Sequence, residues 1–146
     1  MKNLFAALAL CLCAWAALAG PQEDRAAAAE RGNAEAQYAL GGNYEFGFGV
    51  PQSNAEAVKW YRKASDQGYA EAHLHLGLMY DLGQGVPQDY VEAHRWYNLA
   101  AARATDNKTR ERASTQRERL AGMMTPAQVA EAQKLAREWK PAPPVK

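Results

Sequence analysis

The chain has 146 residues, 48% of them apolar by type, and its 17 basic and 16 acidic side chains leave a net charge of +1. One compact domain is the most such a length suits, since a single core serves roughly 100 to 200 residues, so a second catalytic domain is not expected. The neutral total hides an asymmetry: residues 20–102 carry 6 basic and 11 acidic side chains and residues 103–146 carry 10 and 5, which suits either mutual attraction or two different surfaces.

Residues 1–19 read as a secretory signal peptide. Lys2 gives a basic start, Leu4 to Leu18 are all apolar, and Ala17-Leu18-Ala19 supplies small residues before a cut ahead of Gly20. The apolar run falls short of the roughly 20 residues of a membrane-spanning helix, so no membrane segment is expected after cleavage. A lipid-anchored cysteine is the weaker alternative, because Leu10 and Leu12 precede Cys11 and Cys13 where a small residue is preferred. A periplasmic or secreted location follows. Both cysteines are in the leader, so disulfide, thiolate-metal and cysteine-nucleophile chemistry are excluded from the mature chain.

Next comes a short helical stretch over residues 20–31, and then an internal repeat. Residues 32–67 laid without gaps on residues 68–103 match at 17 of 36 positions. The matches include Leu40-Gly41 with Leu76-Gly77, Tyr44 with Tyr80, Gly49-Val50-Pro51-Gln52 with Gly85-Val86-Pro87-Gln88, and Trp60-Tyr61 with Trp96-Tyr97. A fixed period of this size signals stacked supersecondary units. Each unit reads as two helices: Ala36, Leu40 and Tyr44 recur at helical spacing, as do Ala57, Tyr61 and Ala64. Between them, Gly47-x-Gly49-Val-Pro ends the first helix, and Ser53-x-x-Glu56 or Asp89-x-x-Glu92 starts the second in the manner of a capping box. Gly41 and Gly77 stand inside helices at a cost of about 1 kcal/mol each against Ala, and close approach of a neighbouring helix is the expected compensation.

These residues resemble the Sel-one-like repeat, a relative of the tetratricopeptide repeat with the pattern A-x-x-x-L-G-x-x-Y-x-x-G-x-G-V, a capping acid, then A-x-x-W-Y-x-x-A. The resemblance covers residues 32–103, with Glu23 to Arg31 as the end of a truncated preceding helix. It implies an all-α fold, a right-handed α-solenoid of helix pairs, and the role of an adaptor in protein assemblies. Several bacterial members of that family are exported. Some cysteine-rich relatives are linked to weak β-lactam binding or hydrolysis, but their cysteine pairs have no counterpart here.

Past Arg103 the signature decays, with Arg112-Ala113 where Leu-Gly is due and Gln116 where Tyr is due. Residues 104–140 are therefore a degenerate third unit: a polar helix from about Asp106 to Ala121, then a helix opened by Thr125-Pro126-Ala127-Gln128. Val129, Ala132, Leu135, Ala136 and Trp139 line one stripe of the second. The pair is expected to cap the solenoid, whose last repeat otherwise exposes its stacking face. Exported members of the family often close with a similar Met-Thr-Pro-Ala-Gln helix. A Pro-rich tail, residues 141–146, follows.

No catalytic, metal or cofactor site is expected. The glycine pairs lack the following Lys-Ser/Thr of a phosphate loop, and neither Ser-x-x-Lys nor Gly-x-Ser-x-Gly is present. His73 and His75 point about 200° apart on a helix and cannot share a metal ion, so the three histidines are read as surface or packing residues. Glu111 and Glu118 interrupt Arg110, Arg112, Arg117 and Arg119, which argues against nucleic acid. The two Trp-Tyr pairs hold the same position in both units and are assigned to the core.

One feature points to a partner. If the first helix of each unit lines the concave face, as in tetratricopeptide solenoids, Glu35, Tyr38, Gly42 and Glu45, then Glu71, Leu74, Leu78 and Asp81, face a groove. The middle helix is thereby apolar on two sides, so either the C-terminal helices fold over Leu74 and Leu78 or an acid-rimmed apolar groove is exposed. The leading expectation is an envelope adaptor binding another protein through that groove. Self-association of acidic repeats with a basic tail, and a weak cell-wall or β-lactam hydrolase, are the alternatives.

Overall fold

The computed structural model describes residues 21–143, so the leader expected over residues 1–19 lies outside the described residues. Seven helices, and no strand, occur among the described residues. They are α1 (Pro21–Glu30), α2 (Ala34–Phe46), α3 (Asn54–Asp66), α4 (Ala70–Leu82), α5 (Tyr90–Arg103), α6 (Asn107–Ala121) and α7 (Pro126–Glu138). The architecture is the expected all-α repeat solenoid. Repeat 1 is the hairpin α2–α3 and repeat 2 the hairpin α4–α5; α1 packs on α2, and α3 on α4.

Local chemistry sets the helix ends. Side chains of Asn33, Ser53, Asp89 and Asp106 each accept from a backbone amide of the first turn, at 2.8, 3.2, 2.9 and 2.7 Å. Thr125 and Gln128 form the full reciprocal box at 3.2 and 2.9 Å. The boxes expected at Ser53 and Asp89 form only halfway. Their own amides donate instead to Tyr44 and Tyr80 carbonyls, at 2.8 and 2.9 Å, and so tie each second helix to the first. Freed from that role, Glu56 pairs with Lys59 and Glu92 with Arg95. Gly47 and Gly83 end α2 and α4 at φ 73° and 67°, a conformation that costs glycine nothing sterically.

The expected close approach at the intrahelical glycines is present in both repeats. A Cβ on Gly41 would stand 2.6 Å from the Tyr61 ring, and one on Gly77 would stand 2.5 Å from the Tyr97 ring. Tyr61 and Tyr97 are fully buried, with Trp60 and Trp96 beside them in the interior as the repeat pattern requires.

The third unit keeps the helix-pair geometry that its sequence no longer advertises. Helix α6 packs on α5 and α4, and α7 packs on α5. Ala113, Leu120, Met124 and Ala132 close one core cluster over Leu74, Ala93, Tyr97 and Ala100. Trp139, just past α7, meets the buried ring of His73 edge-on at 5.1 Å and takes the Arg103 guanidinium on its face at 4.4 Å. The chain then runs back along the repeat edge, where the Ala142 amide donates to the Asp66 carbonyl at 2.6 Å.

Candidate partner-binding surface

The residues assigned to a groove divide into two sets. Leu74 is 2% exposed and Asp81 is 5% exposed, both covered by α6. Neither is available to a partner, which corrects the groove expectation at these two positions. The physical reason is that α6 stacks as the next first helix would, so the apolar second side of α4 becomes core. Asp81 accepts from the Tyr97 hydroxyl at 3.0 Å and pairs with Arg119, a charge satisfied from both sides. Leu78 is half-buried against the same cluster and lines a shallow depression with Glu111, Arg112, Thr115 and Gln116.

Glu35, Tyr38, Glu45 and Glu71 stay on the surface shared by α2 and α4, with Glu35 exposed and the other three half-buried. Two residues not assigned to that surface join them. His75 contacts Glu45 Oε2 through Nδ1 and the Tyr38 hydroxyl through Nε2, each at 3.3 Å. Its place was legible, because it follows Glu71 by four residues and therefore shares its helix face. Tyr69 occupies the N-cap position of α4, where the preceding repeat has Asn33. It makes no side-chain cap bond, and its ring instead lies 5.3 Å from that of Tyr38. The signal for it was the Asn-to-Tyr mismatch between otherwise similar repeats.

Glu45 is the polar anchor of this surface. It accepts from the Tyr61 hydroxyl at 2.5 Å, as Asp81 does from Tyr97 one repeat later. Burial works to raise its pKa, but hydrogen bonds with His75 and Tyr61 outweigh that and hold it below the ordinary value. Burial first, and then the charges of Glu71 and Glu45, raise the pKa of Tyr38, with Arg112 opposing. Tyr69 is raised by burial and then by Glu71 and Glu35. The two rings thus sit in a negative field.

The other histidines face inward. His73 is fully buried, stacks on Trp96 at 5.4 Å, and is pushed down to about 3 by burial and by Arg103 and Arg95. His94 is lowered by burial and by Arg117. His73 and His75 therefore serve opposite faces of α4, as their spacing requires. No described helix is long and apolar enough to cross a membrane.

The Sel1 repeat model matches residues 34–69 and 70–104. Among curated proteins, none matches this chain. Among solved structures, a protective antigen of uropathogenic Escherichia coli displaying an SLR fold aligns at 32% identity and a TM-score of 0.74, over 80% of this chain and 24% of that one. A Sel1 repeat protein from Oxalobacter formigenes aligns at 47% identity and a TM-score of 0.52, over 53% of this chain and 59% of that one. The chain thus spans about a quarter and three-fifths of the lengths of these two proteins. Proteins built from such repeats generally mediate protein–protein interaction and are typically non-enzymatic. The chain is a Sel1-repeat protein, with two adjacent repeats in an all-α solenoid.

Proposed function

We propose that this chain is an adaptor of the bacterial cell envelope that holds a segment of another protein across the surface shared by α2 and α4. The observation that carries the reading is the grouping of Tyr38, Tyr69 and His75 with Glu35 and Glu71, all at least partly open to solvent. Aromatic rings supply contact area at low conformational cost, and flanking carboxylates orient a partner. Export rests on the leader-like residues 1–19, with Gly20 as the first residue of the mature protein.

Photo-crosslinking in cells tests both parts. A crosslinking amino acid at position 71 should trap a discrete envelope protein, whereas the same group at exposed position 59 should not. Equal trapping at both positions, or none at 71, would contradict the docking surface. Recovery of the chain in the cytosolic fraction with Met1 to Ala19 intact would contradict export.

A further inference from the structure

We infer that the depression between Tyr38 and Tyr69 is a seat for a lysine or arginine side chain of the partner protein. This rests on the docking surface proposed above and names what that surface recognises. The depression, about 380 Å³ in volume, is bounded by the Tyr38 and Tyr69 rings, with Ala36 and Ala39 beside them and Glu35 at the rim. A platform of two tilted rings beside carboxylates suits a cation, which is attracted to the ring faces and to the acids together.

Elsewhere the chain fills comparable positions itself. Lys63 lies 3.9 Å over the ring of Trp60, Arg95 4.7 Å over Trp96, and Arg103 4.4 Å over Trp139. No such cation covers Tyr38 or Tyr69 among the described residues, and neither Glu35 nor Glu71 forms an ion pair there. Arg25 on α1 is the one cation lining the depression and stands over neither ring, while the charge of Arg112 also reaches Tyr38.

The N-cap of α4 adds an independent observation. At this position repeat 1 uses Asn33, whose side chain accepts from the Ala36 amide at 2.8 Å; repeat 2 uses Tyr69 and leaves α4 without a side-chain cap. Repeat 2 exchanges the cap for a ring contact with Tyr38 of comparable worth, and a local rule broken without net gain marks a position kept for another purpose. The purpose the geometry supports is the second ring of the platform.

The test uses the purified protein and two labelled twelve-residue probes, one alternating alanine with lysine and one alternating alanine with glutamate. Fluorescence anisotropy should show saturable binding of the lysine probe alone, weakening as salt is raised. Glu35→Gln with Glu71→Gln should weaken it at least tenfold. Tyr69→Asn should do the same while leaving the melting temperature within about 3 °C, a separation that loss of folding does not produce. No binding of the lysine probe, equal binding of both probes, or affinity unchanged in the variants would overturn the inference. Low-salt dimers that dissociate in the double variant would assign the seat to a second copy and likewise overturn it. Crosslinking from position 71 that persists when Glu35→Gln and Tyr69→Asn are added would sink the cation seat alone and leave the docking surface standing.

Discussion

Gly77 and Tyr97 fix how closely the two helices of the second repeat approach. The Tyr97 ring occupies the space a side chain at position 77 would need, with a Cβ there only 2.5 Å from ring carbon. In a solvent-facing helix, Gly to Ala gains about 1 kcal/mol. Here the neighbour is a fully buried ring held by its hydrogen bond to Asp81, so it cannot yield without loss. Gly77→Ala is therefore expected to destabilise by about 1–3 kcal/mol, the range for overpacked cores, as measured by urea denaturation. Gly41→Ala, against Tyr61, should behave alike.

Leu74 and Leu78 should separate sharply despite standing one helical turn apart. Leu74→Ala removes a side chain sealed among Ala113, Leu120 and Met124 and should cost about 2–5 kcal/mol. Leu78→Ser, at the half-buried rim, should cost clearly less. Equal losses in chemical denaturation would contradict the placement of α6 over α4.

Acid should destabilise the fold before its carboxylates are protonated. His73 is held neutral, with its pKa pushed down to about 3 from an ordinary 6.5. Below about pH 6.5 the unfolded chain therefore binds a proton that the folded one refuses. His73 alone should lower stability by at most about 1.4 kcal/mol per pH unit from there down to its folded value. His94, also lowered, acts in the same sense. Glu45, lowered in the fold, contributes stability above its unfolded value that is lost as pH falls through the folded one, which continues the decline at more acid pH. Urea midpoints at pH 7.5, 6 and 5 should show a slope that is reduced in His73→Leu; an unchanged slope would point to other groups.

Tyr69→Asn exchanges one local contribution for another. It regains a cap of about 1 kcal/mol and loses an aromatic pair of about 0.5–1.5 kcal/mol with Tyr38. The terms nearly cancel, so thermal denaturation should show little change. A large drop would mean that Tyr69 is a structural residue.

Much of the fold was legible because the repeat states it twice. Trp60 and Tyr61 belong to the core on sequence alone, since Trp96 and Tyr97 occupy the same position and stacked units bury the same face. Helix starts at Ser53, Asp89 and Thr125 were legible from side-chain chemistry, although the return half of the first two boxes was not. That half depends on the carbonyls of Tyr44 and Tyr80, in the other helix of each hairpin. The site was less legible. Whether Leu74 faces solvent is decided by Leu120, on a helix whose sequence has lost the repeat signature and whose own stripe is weak. Asp81 matches Glu45 in sequence, yet Arg119 covers one while His75 leaves the other near the surface.

The most direct test of the docking surface is amide hydrogen exchange on the protein bound to whatever position 71 traps. Exchange should slow in residues 35–45 and 69–78, with α6 unchanged. Protection confined to α6 and α7, or to the loops after Phe46 and Leu82, would contradict it.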